Sequence, residues 1–257
     1  MTPRIGIAGA SGRMGRLIAE EARSRGLPIA GGICRPEEAA AVPAEVGLLP
    51  GIAALAAAAD VVIDFTHAST IPAHAAAIAA TGCGWVLGTT GLADDDEAAI
   101  AAAAARAPVV RAANFSPGVA LVLELAARLA AALPAAGYDA EILEMHHRQK
   151  VDAPSGTALA LGAAVAAARG QDLAAVAERG RDGAPGPRKP GAIGFAALRG
   201  GQIVGEHSLL FTSGAEQIIL THRAFDRRAF AEGALRAALW LAGRPAGLYG
   251  MADVLAG

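Results

Sequence analysis

Residues 144–159 read EMHHRQKVDAPSGTAL, and within them His146, His147, Arg148 and Lys150 crowd four ionisable side chains into five positions. Only 18% of the chain is charged, so the crowding stands out. A run of this kind is ordinarily a solvated face, but the residues that follow argue for chemistry. PSGT reads as the opening of a helix, and at Ser155, Gly156 and Thr157 its free N–H groups form an anion-binding end. A histidine exchanges a proton near neutral pH, and a lysine can polarise or protonate an adjacent atom. Cations beside a helix N-terminus suit a substrate that carries carboxylates. They also suit reduction by hydride, where negative charge develops on the acceptor and must meet a proton or a cation. Asp152 is placed to orient the loop through side-chain-to-backbone bonds. Glu144 is open either to a cation partner or to the core boundary and takes no role here.

A second group lies near the N-terminus. GIAGASGRMGR sets glycines at 6, 9, 12 and 15, after one strand and at the start of a helix. Gly9, Gly12 and Gly15 allow a tight turn and bring backbone N–H groups close to a pyrophosphate, with the helix N-terminus adding partial positive charge. The acid that holds an adenine ribose is expected about 20 residues further on. Cys34 stands there, with Arg35 beside it and Glu37 and Glu38 close by. An arginine without an adjacent acid favours a 2′-phosphate, hence NADPH over NADH. GTTG at 88–91 and AANFS at 112–116 each follow an apolar run. Both should reach the carboxyl edge of the sheet and outline a nicotinamide pocket.

These groups need elements to position them. Short apolar runs at 4–9, 27–34, 60–65, 84–89 and 107–113 read as strands, with helices at 13–25, 52–59, 70–80 and 94–106 between them. That alternation implies a parallel sheet covered by helices. After Phe115 the pattern changes. SPGVALVLELAARLAAAL reads as a helix capped by Ser116, YDAEILEM as a strand, and PSGTALALGAAVAAARG as a helix. The segment at 178–191 is an exposed Gly/Pro/Arg loop. GFAALRGG, IVGEHSLLFTSG and EQIILTHR then read as strands of an antiparallel or mixed sheet. RRAFAEGALRAALWLAG closes as an amphipathic helix, and LYGMADVL as a short tail.

Composition bounds the rest. The 257 residues suffice for two modest domains, and 54% of them are hydrophobic. The net charge of -2 gives no basic surface for nucleic acid. Mean hydropathy is +0.40, yet every long apolar run is broken by charge, as at Asp60, Glu97 and Glu124. No membrane span and no signal peptide are expected. Two cysteines, Cys34 and Cys83, without a ligand cluster, suit a reducing cytoplasm and no metal site.

The motifs GASGRMGR, DFT, GTTG, ANFSPGV, HHRQKVDAPSGTA, IGF, IVGEH and ALWL follow one another along nearly the whole chain. In this order the sequence resembles the 4-hydroxy-tetrahydrodipicolinate reductase (dihydrodipicolinate reductase) family of diaminopimelate and lysine synthesis. HHRQKVDAPSGTA is the most specific of these segments. The resemblance implies an α/β fold, with a Rossmann-like parallel-sheet cofactor domain at 1–116 plus 227–257. It also implies a second α+β mixed-sheet domain at 117–226 that binds substrate and assembles a homotetramer. The reaction implied is NAD(P)H-dependent reduction of 4-hydroxy-tetrahydrodipicolinate, a dicarboxylate, to tetrahydrodipicolinate with loss of water.

By position, the resemblance puts Gly9, Ala10, Ser11, Gly12, Arg13 and Met14 around the pyrophosphate and Arg35 at the adenosine ribose or its phosphate. Gly88, Thr89, Thr90, Ala112, Ala113, Asn114 and Phe115 fall on the nicotinamide side. His146 and Lys150 match the acid/base pair, and His147, Ser155, Gly156 and Thr157 the substrate-binding positions. Four departures stand out: Cys34 takes the place of the acid often present before Arg35, the segment between Arg35 and Asp60 is shorter than in familiar members, His67 follows DFT where some members carry arginine, and Gln149 stands where some members have histidine.

Two other classes fit the sequence less well. A semialdehyde dehydrogenase would need a cysteine thiolate beside a histidine, but Cys34 and Cys83 lie far in sequence from the histidine cluster. A non-catalytic dinucleotide sensor would have no use for both His146 and Lys150.

Overall fold

The computed structural model describes residues 2–257. The chain divides into two compact units. One runs to Pro117 and resumes over Arg227–Gly257, and the other is Gly118–Asp226.

In the first unit, strands β1 (Ile5–Ala8), β2 (Ile29–Ile33), β3 (Val61–Asp64), β4 (Gly84–Leu87) and β5 (Pro108–Arg111) lie parallel. Helices α1 (Arg13–Ser24), α2 (Ile52–Ala58), α3 (Ile71–Thr81) and α4 (Asp94–Ala104) connect them. The tail expected after the last helix adds a sixth strand, Gly247–Tyr249, which pairs in parallel with β5. Its Gly-Leu-Tyr run is too short for periodicity to reveal. The spatial order places β1 between β3 and β2, so the chain reverses direction across the sheet at β1 and β3. Ligand crevices of open α/β sheets form beyond the strand ends at such a switch point. Both faces are covered, so the strands are continuously apolar rather than alternating. Ile5, Ile7, Val62 and Ile63 are fully buried, each stabilising the fold by about 1.5–3 kcal/mol relative to exposure.

In the second unit, α5 (Pro117–Ala132), β6 (Asp139–His146), α6 (Gly156–Ala168), a short α7 (Leu173–Val176) and β7 (Ala177–Glu178) precede β8 (Ile193–Arg199), β9 (Gly205–Thr212) and β10 (Gln217–Ala224). The sheet is mixed: β6 lies between β8, to which it is parallel, and β9, to which it is antiparallel. One face packs on α5 and α6 through Ala126, Ile142, Leu161, Val165, Phe195 and Phe211. The loop after β7 is tied down by arginines, with Arg181 forked on Glu141 at 3.0 Å and Arg188 bonded to Glu141 and Asp139 at 2.8 Å.

Candidate active site

The first unit carries a cavity of about 830 Å³ at the β1/β3 switch point. Gly9, Ser11, Gly12, Cys34, Arg35, Glu38, Phe65, Thr66, His67 and His74 are among its lining residues. The turn after β1 closes with Gly12 N–H donating to the Gly9 carbonyl at 3.0 Å. Gly9 has φ +82°, and a Cβ on Gly15 would lie 2.2 Å from the Gly9 oxygen, so α1 can approach the turn only through glycine. Gly12 caps α1 without a side-chain hydrogen bond, and no acid occupies the first turn. The N-terminal N–H groups therefore remain available to an anion.

At the rim, Glu38 ties the cavity's arginine to its glycine turn. Its carboxylate accepts from Ser11 Oγ at 2.7 Å and pairs with Arg35. Arg35, then Ser11, hold this carboxyl below its ordinary pKa. The carboxylate that meets Arg35 thus comes from three residues further on, in a 3₁₀ turn at Pro36–Ala41. Cys34 also lines the cavity, and burial followed by the charges of Glu38 and Glu37 pushes its thiol pKa up. Burial raises Cys83 to about 12. Neither thiol is disposed to form a nucleophilic thiolate.

The expected nicotinamide-side residues lie at the neighbouring strand ends. Ala112 N–H donates to the Leu87 carbonyl at 3.2 Å, joining the ends of β4 and β5. Phe65 stacks edge-on to Phe115 at 5.5 Å. Thr89 is buried, and its Oγ1 has no hydrogen-bond partner among the described residues. Of the expected pyrophosphate residues, Ala10 is buried beneath the turn and Arg13 is exposed on α1. Behind the cavity, Asp64 is fully buried and accepts from Thr66 N–H at 3.0 Å, Thr66 Oγ1 at 2.6 Å, His74 Nδ1 at 2.6 Å and Trp85 Nε1 at 3.2 Å. The DFT motif is thereby a loop anchor.

In the second unit, alternation along β6 puts Ala140, Ile142, Glu144 and His146 on its buried face. Register then adds the neighbours: Arg199 of β8 pairs with His146, and His207 of β9 with Glu144. Glu144 is 1% exposed and is the hub of the cluster. Its Oε2 accepts from His146 Nδ1 at 2.6 Å, and its Oε1 from Ser155 N–H at 3.1 Å. Arg199 forks onto both oxygens at 2.8 Å and also donates to the Asp152 carbonyl at 2.6 Å. Burial alone would raise the Glu144 carboxyl pKa, but Arg199 and His146 overcome it and hold it below the usual range. His146 is 8% exposed. Burial, aided by Lys150 and Arg199, lowers its pKa against the pull of Glu144, which favours the neutral imidazole. A carboxylate can only accept, so the ring proton sits on Nδ1 and Nε2 carries the lone pair.

Lys150 Nζ donates to Asp152 Oδ1 at 2.8 Å. The Asp152 carboxylate meets its own backbone, in line with the expected loop-orienting role, and also holds the lysine, while its carbonyl takes Arg199. Ser155 caps α6, accepting from Ala158 N–H at 3.2 Å, and its Oγ meets His207 Nε2 at 3.0 Å. Gly156 and Thr157 form the first turn of α6. Arg148 and Gln149 are exposed, while His147 is half-buried. Glu144, Arg199 and His207 were given no role from sequence. The signal available was parity: Glu144 precedes His146 by two positions on a strand and so shares its face.

A glycine turn at the switch point of a parallel sheet is the fold feature of dinucleotide-dependent oxidoreductases. Two family models match the chain: dihydrodipicolinate reductase, N-terminus, over residues 3–115, and dihydrodipicolinate reductase, C-terminus, over residues 118–255. The chain belongs to the dihydrodipicolinate reductase family. It is 63% identical over 252 residues to the 4-hydroxy-tetrahydrodipicolinate reductase of Acidiphilium cryptum, covering 98% of this chain and 97% of that one. The protein of the same name from Granulibacter bethesdensis is 60% identical, at 98% and 96% coverage. In fold, the chain is similar to a dipicolinate-bound dihydrodipicolinate reductase from Paenisporosarcina sp. TG-14. The TM-score is 0.79 at 24% identity, over 98% of this chain and 99% of that one.

Proposed function

We propose that this chain reduces 4-hydroxy-tetrahydrodipicolinate to tetrahydrodipicolinate with loss of water, a step of lysine and diaminopimelate synthesis. The observation that carries this reading is the family match across both halves of the chain, residues 3–115 and 118–255. On this reading the first unit binds the dinucleotide and the second binds the substrate and assembles the oligomer.

The first unit fits a dinucleotide on its own evidence: an uncapped helix end behind a glycine turn, a cavity beside it, and a buried unpaired Thr89 Oγ1 at a neighbouring strand end. The turn residues Gly9, Ser11 and Gly12 would hold the pyrophosphate, and Gly88, Thr89, Thr90, Ala112 and Phe115 the nicotinamide side. When bound, the reduced nicotinamide supplies the hydride. Arg35 supports a preference for NADPH, in competition with Glu38 for the same guanidinium.

In the second unit, His147 and the α6 N-terminus at Ser155, Gly156 and Thr157 would meet the two substrate carboxylates, with Lys150 beside His146 as the other member of the acid/base pair. An anion arriving beside His146 raises that imidazole's proton affinity. The neutral histidine then takes up a proton from solvent at Nε2, poised for transfer to the reacting atom. The sheet face opposite α5 and α6 carries Leu143, Met145, Leu198, Leu210 and Ile219. Leu198 and Ile219 are each 51% exposed, which supports self-association as a homotetramer. Free thiols at Cys34 and Cys83 suit a cytoplasmic location.

The test generates substrate in place from pyruvate and aspartate semialdehyde with the preceding synthase, following NADPH and NADH absorbance separately. Enzyme-dependent oxidation of either is expected. Binding of both cofactors with oxidation of neither would overturn the reading and leave a dinucleotide sensor.

A further inference from the structure

Two strands and the start of a helix converge on one buried carboxylate. Glu144 receives His146 from its own strand, Arg199 from β8 and the Ser155 N–H from the start of α6, at 2.6, 2.8 and 3.1 Å. We propose that Glu144 is the positioning residue of the substrate site and Arg199 its counterweight. Glu144 fixes His146 with its proton on Nδ1 and Nε2 turned to the substrate, while Arg199 limits the negative charge the imidazole feels. This rests on the reading of His146 as the residue that meets the substrate.

The geometry separates the two roles. Glu144 spends Oε2 on His146 and Oε1 on Ser155, so one side chain sets both the imidazole tautomer and the helix end beside it. Arg199 engages both oxygens and cannot release one without losing the fork. Through the Asp152 carbonyl the same guanidinium reaches the residue that holds Lys150. The other groups facing His146 are His207 of β9, edge-on at 5.1 Å, and Lys150 with Asp152 in the following loop. Gly205 leaves the far side of the ring open, since a Cβ there would stand 3.1 Å from His146 Nε2. Without Arg199 the full carboxylate charge would favour an imidazolium before substrate arrives. Without Glu144 nothing would hold the proton on Nδ1, and Arg199 would have lost its carboxylate.

A merely structural pair would lower activity without moving His146 in opposite senses. The test is therefore a nitrogen-15 NMR titration of His146 in the full-length protein, without substrate, in Glu144→Gln and Arg199→Gln. Circular dichroism would verify folding. Glu144→Gln should move the His146 titration to lower pH and populate the Nε2–H tautomer. Its turnover should fall by roughly 10²–10⁴-fold, the upper figure being that for losing a carboxylate that sets a catalytic histidine's tautomer. Arg199→Gln should move the titration to higher pH. Should either single variant fail to fold, the double variant Glu144→Gln/Arg199→Gln removes both charges together, and its carboxylate-free His146 should again show the Nε2–H tautomer. Shifts in the same direction, no shift, or a double variant that keeps Nδ1–H would overturn the proposal. The titration needs no turnover, so its outcome is independent of whether the proposed reaction is observed.

Discussion

The two units build their candidate sites from different materials. In the first, the ligand-facing surface is largely backbone: a glycine turn, an uncapped helix end and small strand-end residues, with Asp64 behind them accepting four bonds from Thr66, His74 and Trp85. In the second, the surface is made of charged and titratable side chains gathered around Glu144. Asp64 has no guanidinium among these partners, whereas Glu144 has one on both oxygens. A site that must cradle a polyphosphate needs close approach and aligned dipoles, and any bulky side chain obstructs it. A site that must hold and release a proton needs charges whose balance can be tuned, and tuning takes partners of both signs.

That contrast can be broken most severely at Lys150. Lys150→Ala should lower turnover by about 10³-fold, within the range for loss of a general acid or base. NADPH binding, read by cofactor fluorescence, should be largely intact. An equal loss of cofactor affinity would move Lys150 to the cofactor site and collapse the division of labour.

His207 tests the charge balance through stability. Burial, and then His146, hold it at about 4. Its folded value lies below the unfolded one, so the unfolded chain takes the proton first and stability falls as pH drops from about 6.5 to about 4. The total is about 3 kcal/mol. His207→Gln preserves a partner for Ser155 and should remove that part of the slope in urea unfolding at pH 7 and pH 4.5. Identical slopes in the two proteins would mean that His207 is not held neutral by burial.

The backbone site is sharpened at Gly15. Gly15→Ala brings a Cβ within 2.2 Å of the Gly9 oxygen, and should cost about 1–3 kcal/mol as an overpacked contact. Both cofactors should bind less tightly; unchanged thermal stability and affinity would show that the turn yields. The smallest effect concerns the arginine of the cavity lining. Arg35→Ala should weaken NADPH about 10-fold more than NADH, as expected for loss of a charge-assisted contact to phosphate. Glu38→Gln should shift the ratio the other way by freeing the guanidinium. Parallel changes for both cofactors would remove Arg35 from the 2′-position.

Local pattern made much of this legible. The glycines at 6, 9, 12 and 15 sit where a strand becomes a helix, and φ > 0 or close contact at such a turn excludes other residues. Strand–helix alternation specified the parallel sheet because a parallel pair needs a crossover connection. The run from His146 to Lys150 before a Ser-capped helix marked the second site without reference to its neighbours. The tail strand at Gly247–Tyr249 was not legible, because three residues have no period.

What the chain could not disclose locally was which strands lie side by side. Glu144 and Arg199 are 55 residues apart, and Ser155 and His207 are 52 apart. Only the placement of β6 between β8 and β9 makes them partners. Parity along β6 determined that Glu144 and His146 share a face. Tertiary pairing alone decided that an arginine would meet that carboxylate, because strand order is settled by burial across the whole sheet and leaves no trace in the spacing of any single strand.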